Sequence, residues 1–340
     1  MNRPAPVSES PPAGRDPAVG WLVWAALLVI YIVWGSTYLA IALVVETMPP
    51  LLAASFRFLV AGLLVAAFLV VRRGPRALRL NTAELAGASL VGLALLLGGN
   101  GMVMLGQREV PSGLAALIIA VVPLWVVVMR LLFRERVRRG TLLGVVIGFA
   151  GVAVLVVPRG ISGTVALGGM LLLIVAAASW AAGSFYSRRL RLPADPFVST
   201  AVQLIAGGLG LAVVGVAVGE LGLLHGAQFS SSSIIGLLYL ISFGSILAYT
   251  AYTWLLQHAP VSKVATYAYV NPVVALALGW LILSEEISLT ILLGGAMIVV
   301  AVGMVIRTEA RPRNVGALDA APNQSALPRR FRLPVFRSRN

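Results

Sequence analysis

One arginine lies inside a long apolar segment, where a charged side chain is rare. Arg57 stands in the run from residue 51 to residue 71. It is about two helical turns, or roughly 10 Å, from one end of that run. A charge at the bilayer centre costs about 2.5–3.5 kcal/mol on insertion scales, and a guanidinium binds carboxylate or phosphate with paired hydrogen bonds. Arg57 is therefore a candidate substrate anchor, and the alternative is a structural tie near the outer mouth.

Two asparagines also lie inside apolar runs, each beside a residue that weakens helical regularity. Asn100 is flanked by Gly99 and Gly101, which allow close packing or backbone exposure, and Asn271 precedes Pro272, which lacks an N–H. Irregular helix is tolerated at membrane depth where it is buried in protein or lines water. Both asparagines are candidates for a polar substrate path, and the alternative is hydrogen bonding between neighbouring helices.

Aromatic residues in the same runs form a second group of candidates. Trp34, Trp180 and Tyr267 lie deep in their runs, and we predict that they contact an apolar or aromatic part of a substrate. Aromatic residues near the end of a run, such as Trp254, are typical instead of the membrane-water interface. The candidate substrate-binding set is Trp34, Tyr38, Arg57, Asn100, Trp180, Tyr267 and Asn271.

Signatures of catalysis and of ATP binding are missing from the sequence. It holds no G-x-x-x-x-G-K-[ST] or H-E-x-x-H pattern and zero cysteines, which excludes thiol chemistry. Every Asp and Glu falls at or near the end of a predicted helix, whereas proton-coupled carriers usually keep a carboxylate or histidine in the core. We expect no enzyme, ATP-driven pump, cofactor or metal. Facilitated transport or exchange is expected, with weak direct proton coupling as the alternative.

Ten membrane-spanning helices would position these residues. A helix needs about 20 mostly apolar residues to cross about 30 Å of hydrocarbon. The predicted spans are residues 20–44, 51–71, 83–106, 112–132, 141–157, 168–187, 197–218, 233–256, 262–283 and 288–306.

The basic residues of the short loops predict the orientation. Lys and Arg are retained on the cytoplasmic side of a membrane protein. The loops of one side hold only Arg108 and Arg159, and the even number of spans puts both termini on the other, cytoplasmic side of an inner membrane. The basic loops of that side hold Arg72, Arg73, Arg76, Arg79, Arg134, Arg136, Arg138, Arg139, Arg188, Arg189, Arg191 and Lys263.

The two halves of the chain repeat each other at a spacing of about 150 residues. Because five spans per half is an odd number, the second half must cross the membrane in the opposite sense, which makes an inverted repeat. Such halves can open one central site to either side in turn. The clearest matches pair Gln107 with Gln257, Ser112 with Ser262, Pro123 with Pro272, Glu135 with Glu285 and Gly144 with Gly294.

Several short motifs resemble those of one transporter family. They are WGSTY at 34–38, PP at 49–50, RF at 57–58, GNG at 99–101, VPSG at 110–113, SW at 179–180 and YAYVNP at 267–272 followed by Glu285. In this order, over residues 20–306, they resemble the EamA-type branch of the drug/metabolite transporter superfamily. The resemblance implies an all-α membrane fold, a central cavity between the halves, and export of amino acids, related metabolites or drugs. A flippase for a lipid-linked small molecule is the alternative.

Composition supports a membrane protein and excludes several other classes. The chain is 59% hydrophobic and 11% charged, and its mean hydropathy is +0.95, whereas soluble domains carry about 25% charged residues. The net charge of +14 lies in loops and one tail, so we expect the lipid bilayer and a small molecule as partners, not nucleic acid. The expected parts are a disordered tail at 1–18, repeats at 19–158 and 166–306, and a basic disordered tail at 307–340, in a monomer or a homodimer.

Overall fold

The computed structural model describes residues 17–135, 137–162, 166–259, 264 and 266–310. Nine helices in these ranges are long and apolar enough to cross a membrane, and Tyr267–Leu283 is a shorter apolar helix. The predicted tails lie almost wholly outside the described residues, although helix includes 17–18 and 307–310. The ten helices are α1 (Pro17–Val45), α2 (Pro50–Arg73), α3 (Thr82–Gly106), α4 (Ser112–Leu132), α5 (Arg139–Ser162), α6 (Leu167–Ser187), α7 (Pro196–Ala217), α8 (Ser231–Tyr239, Leu240–Leu247 and Ala248–His258), α9 (Tyr267–Leu283) and α10 (Leu289–Ala310).

The helices present an apolar surface on the outside of the bundle. Leu63, Phe68, Val146, Val213 and Leu293 are each more than half exposed. Side chains of this kind suit hydrocarbon, in which a helix also satisfies its own backbone hydrogen bonds. The chain is therefore a multi-pass membrane protein of the all-α class, as the sequence predicts.

Helix packing follows the two-fold logic of the inverted repeat. Helix α2 packs on its counterpart α7, and α5 packs on its counterpart α10. Helix α1 packs on α8 and α9, and its counterpart α6 packs on α3 and α4. Each of these helix contacts is therefore repeated between the corresponding helices when the two halves are exchanged. The structure confirms two inverted five-helix repeats.

Helices α5 and α10, the fifth helices of the two halves, cross at a pair of glycines, Gly151 and Gly294. A Cβ atom on Gly151 would lie 2.9 Å from the carbonyl oxygen of Gly294, and one on Gly294 would lie 3.0 Å from the carbonyl oxygen of Gly151. Both distances are too short for a comfortable contact. Glycine is required at this crossing because it lets the two backbones approach closely.

Three helices near the centre depart from regular α-helix, and a fourth contains a proline. Segment Leu93–Gly101 of α3 and segment Leu240–Leu247 of α8 are π-helical, and they occupy corresponding places in the two repeats. Helix α4 is interrupted between Ile119 and Val122, just before Pro123. Helix α9 continues through Pro272. π-Helical turns are rare in proteins, but those that occur often lie at functional sites. The two π-helical segments lie near the middle of the bundle.

Candidate functional site

A cavity lies at mid-depth in the bundle, between the two halves. Its wall comes from α1, α2, α3, α4, α6, α8 and α9. Small-molecule sites are found preferentially in such places, including the space between the helices of a bundle. All seven residues that the sequence proposes for substrate binding line this one cavity. Their role in binding stays a prediction.

One wall of the cavity is an aromatic cluster around Trp34. The ring of Trp34 lies 5.2 Å from the ring of Tyr267, 5.2 Å from that of Tyr252 and 6.1 Å from that of Tyr249, measured between centroids. The indole Nε1 donates a hydrogen bond of 3.3 Å to the carbonyl oxygen of Gly244 in α8. Edge-to-face contacts between such rings hold their orientation. The cluster forms a fixed, largely apolar surface on the side of α1, α8 and α9.

Trp180 lies on the other side of the cavity because glycines in α3 make room for it. A Cβ atom on Gly99 would stand 2.8 Å from the ring carbon Cε3 of Trp180, and one on Gly98 would overlap the hydroxyl of Ser179. That hydroxyl donates to the carbonyl oxygen of Ala94 at 2.8 Å. The glycines beside Asn100 therefore serve close packing of α3 on α6, which brings Asn100 and Trp180 to one wall.

Arg57 is buried beneath the cavity wall, with 5% of its surface exposed. Its Nε donates to Ser245 Oγ at 2.9 Å, which joins α2 to α8, and its guanidinium carbon lies 4.7 Å from the centre of the Phe58 ring. Its Nη1 has no hydrogen-bond partner among the described residues. The Nε of Arg57 thus ties α2 to α8, whereas its Nη1 is a donor without a described partner.

Asn271 presents the complementary feature, an acceptor without a partner. Its side chain is 8% exposed, and its Oδ1 accepts no hydrogen bond from the part of the chain that the structure describes. Buried polar atoms are nearly always paired with protein or water, so an exception marks a strained or functional group. Arg57 and Asn271 therefore place one donor and one acceptor, both without a described partner, just beneath the wall of a cavity that is otherwise mostly apolar.

Three polar residues of the cavity wall were not among the sequence candidates. Ser245 and Thr37 are small polar residues within apolar runs, and the sequence carries no signal that singles them out. Tyr249 stands near the end of a run, where an aromatic residue is typical of the interface, yet it lines the cavity. It lies two residues after Leu247, where the π-helical segment of α8 ends.

At the end of the bundle that carries Glu220 and Glu285, these carboxylates join the two halves, and we call this end the clamped face. Glu285 accepts from the backbone N–H of Ser112 at 2.6 Å and of Gly113 at 2.9 Å, at the start of α4. A proline precedes that helix, and no side chain of its own caps it. Glu285 supplies the missing acceptors from the other half of the protein, and a carboxylate also suits the positive end of the helix dipole.

Glu220 does the same for α2. It is 6% exposed, and its two oxygens accept from the backbone N–H of Leu51 at 3.1 Å and of Leu52 at 2.9 Å. This helix also follows a proline, Pro49, and has no side-chain cap of its own. Both helices of the first half that start at the clamped face are therefore held by carboxylates of the second half.

A membrane bundle of inverted repeats around a central, partly polar cavity is the architecture of many secondary transporters. The EamA-like transporter family model matches residues 20–157 and 167–307. The chain belongs to this family.

Named relatives and a solved structure agree with this class. The chain is 39% identical over 284 residues to the "Uncharacterized inner membrane transporter YedA" of Escherichia coli K12, which covers 83% of this chain and 90% of that protein. It is 29% identical to a "Probable amino-acid metabolite efflux pump" of Salmonella typhimurium, over 81% of this chain and 91% of that protein. A crystal structure at 20% identity shares the fold, with a TM-score of 0.59 over 88% of this chain and 100% of the other. The family and these relatives are transporters, not enzymes.

Proposed function

We propose that this protein moves small organic metabolites outward across an inner membrane by alternating access to the central cavity. One observation carries the proposal: a cavity is built from both repeats at mid-depth, and two of its wall residues carry a buried donor and a buried acceptor that have no partner among the described residues. Amino acids or related metabolites are the first substrate class to test, because one relative is named for their efflux.

The clamped face supports the alternating-access part of the proposal. Glu285 and Glu220 join the second half to helix starts of the first half on one side of the cavity. Release of these contacts would separate the halves on that side, as a rocking motion of inverted repeats requires. The loops opposite the clamped face hold most of the arginines, so we place that basic face and both termini in the cytoplasm.

Counterflow in proteoliposomes tests transport directly. Liposomes loaded with one unlabelled amino acid, nucleoside or sugar at a time should accumulate the matching labelled solute transiently, without ATP. Trp180→Ala, Asn100→Ala and Asn271→Ala should each lower the rate by roughly tenfold, while Gly303→Ala, which meets no atom within 4 Å, should leave it unchanged. Counterflow that persists in all three cavity variants would show that this cavity is not the path.

The energy source has its own test. No Asp, Glu, His or Lys lines the cavity among the described residues, so we expect counterflow to proceed at equal pH on both sides. A strict requirement for a pH gradient would contradict facilitated transport or exchange and favour proton coupling. The orientation in the membrane is tested by labelling. Because the chain has zero cysteines, single cysteines can be introduced in the loops and labelled from one side with an impermeant maleimide.

A further inference from the structure

The cavity contains one charge, and that charge is positive. Among the described residues of its wall, Arg57 is the single ionisable side chain other than tyrosines. Its described contacts are the neutral hydroxyl of Ser245 and the face of the Phe58 ring. Within the described chain the salt bridges join Arg73, Arg130 and Arg189 to carboxylates, and none involves Arg57. The guanidinium is therefore buried without a protein counter-ion.

Such a charge is costly, and its cost is not offset by the protein. Removing a cation from water without a paired anion costs several kcal/mol, and the attraction for an anion rises as the surroundings become less polar. Ser245 and Phe58 supply only a neutral acceptor and a ring quadrupole, which are weaker partners than a carboxylate. The missing negative charge, and an acceptor for the Nη1 proton, are what a bound solute can provide.

We propose that the cavity selects solutes that carry a carboxylate on an apolar or aromatic body, and that it rejects organic cations. This inference rests on the proposed function, because it concerns the same cavity. The carboxylate receives the Nη1 hydrogen bond of Arg57, and the aromatic cluster around Trp34 receives the body. Asn271 Oδ1 accepts a hydrogen bond from a donor group of the solute.

The magnitude of the charge decides between carboxylate and phosphate. A carboxylate carries one negative charge, which Arg57 balances, whereas a phosphate monoester carries about −1.5 to −2 at neutral pH. The second charge of the phosphate would be buried without a cation among the described wall residues. A cation would place two like charges in the same apolar space, where repulsion is strong. A single carboxylate is the best match.

Three solutes of one shape test the proposal on the full-length protein. The anion 3-phenylpropionate, the neutral 3-phenylpropanamide and the cation 3-phenylpropylamine differ mainly in charge. Binding to purified protein is followed by tryptophan fluorescence and by thermal shift, and transport by counterflow. We expect the anion to bind at least tenfold more tightly than the amide and the amine not to compete. Equal affinity for anion and amide, or tighter binding of the amine, would overturn the proposal.

Variants at Arg57 assign the selectivity to this residue. Arg57→Gln should abolish the preference for the anion, and Arg57→Lys should retain part of it, because lysine keeps the charge but loses the planar pair of donors. Arg72→Gln removes an exposed arginine on the same helix and should leave the preference unchanged. If Arg57→Gln unfolds, the Lys variant and Ser245→Ala, which removes the acceptor for Nε, carry the test. An unchanged preference in every Arg57 variant that folds would refute the assignment.

Failure of this proposal and failure of the proposed function have different results. Counterflow of the amide and the amine at the same rate as the anion would leave transport standing and refute charge selection. Binding that favours the anion, without counterflow of any solute, would support charge selection and contradict transport.

Discussion

The two faces of the bundle join the repeats by different chemistry. On the clamped face, Glu220 and Glu285 accept hydrogen bonds from backbone N–H groups at helix starts. On the basic face, Glu135 binds Arg130 and Arg189, and Asp195 binds Arg73. Each face thus has two carboxylates that connect the halves. Only on the clamped face do they complete helices of the other half, because Asp195 caps its own helix, α7.

The difference matters most for Glu135 and Glu285, which the repeat makes equivalent. Glu285 is half-buried and its two donors are backbone N–H groups in the rigid first turn of α4. Glu135 is 37% exposed, and its partners are long, flexible arginines. A hydrogen bond to a charged group contributes about 1.5–3 kcal/mol when buried, while exposed ion pairs contribute little. The comparison indicates that the halves are joined more firmly at the clamped face than at the basic face.

Removal of the clamp should have the largest effect. Glu285→Ala leaves two N–H groups at the start of α4 without an acceptor, so under the proposed cycle the clamped face should open more often. A cysteine at Ala116, which lines the cavity on α4, should then react at least tenfold faster with an impermeant maleimide added at that face. Glu286→Ala, at the exposed neighbour, is the control and should not change the rate. An unaltered rate in the Glu285 variant would disprove the clamp.

A substitution beside the clamp should have a smaller effect in the same direction. A Cβ atom on Gly279 would lie 2.4 Å from Glu285 Oε2, so Gly279→Ala should displace the carboxylate without removing it. We expect a severalfold faster reaction of the Ala116→Cys reporter and a lower thermal midpoint. Gly303→Ala provides the matched control because its Cβ would meet open space. A midpoint and rate equal to those of the control would show that the carboxylate adjusts freely.

The smallest effect is expected on the basic face. Glu135 lies in the loop between α4 and α5, and its hydrogen bond from Arg130, then that from Arg189, hold its pKa below the usual value. A lowered folded-state pKa adds stability that is present above the unfolded pKa and lost as pH falls through the folded pKa. Acid should therefore lower the thermal midpoint slightly, and Glu135→Gln should remove that pH dependence. A midpoint drop in Glu135→Gln as large as in Glu285→Ala would overturn the comparison of the faces.

Much of the fold could be predicted because hydrocarbon imposes simple rules on sequence. Span length predicted ten helices, and matched residues such as Pro123 and Pro272 predicted the repeat. The sequence could also predict that the seven candidate residues face the interior of the protein, because polar and aromatic side chains deep in apolar runs are rarely directed at lipid. Their spacing along the chain carries no information on which would meet; packing of the halves decides that.

Details that depend on contacts between the halves could not be predicted. The sequence places Glu220 and Glu285 in loops, but their partners, Leu51 and Ser112 among them, are more than 160 residues away. The π-helical segments arise where extra residues are accommodated in α3 and α8, a feature that hydropathy does not report. The break before Pro123 and the regular helix through Pro272 also differ although the prolines match, since each helix packs in a different local setting.

The glycine crossing of α5 and α10 has a consequence for how such a protein could arise. A Cβ atom placed on Gly151 would approach the carbonyl oxygen of Gly294, and one placed on Gly294 would approach that of Gly151, at nearly the same distance. Reciprocal contacts of this kind are the mark of an isologous interface, in which each partner offers the same patch. A single five-helix half inserted in both orientations would make the same contact with a second copy of itself. The crossing thus has the form of a dimer interface retained inside one chain.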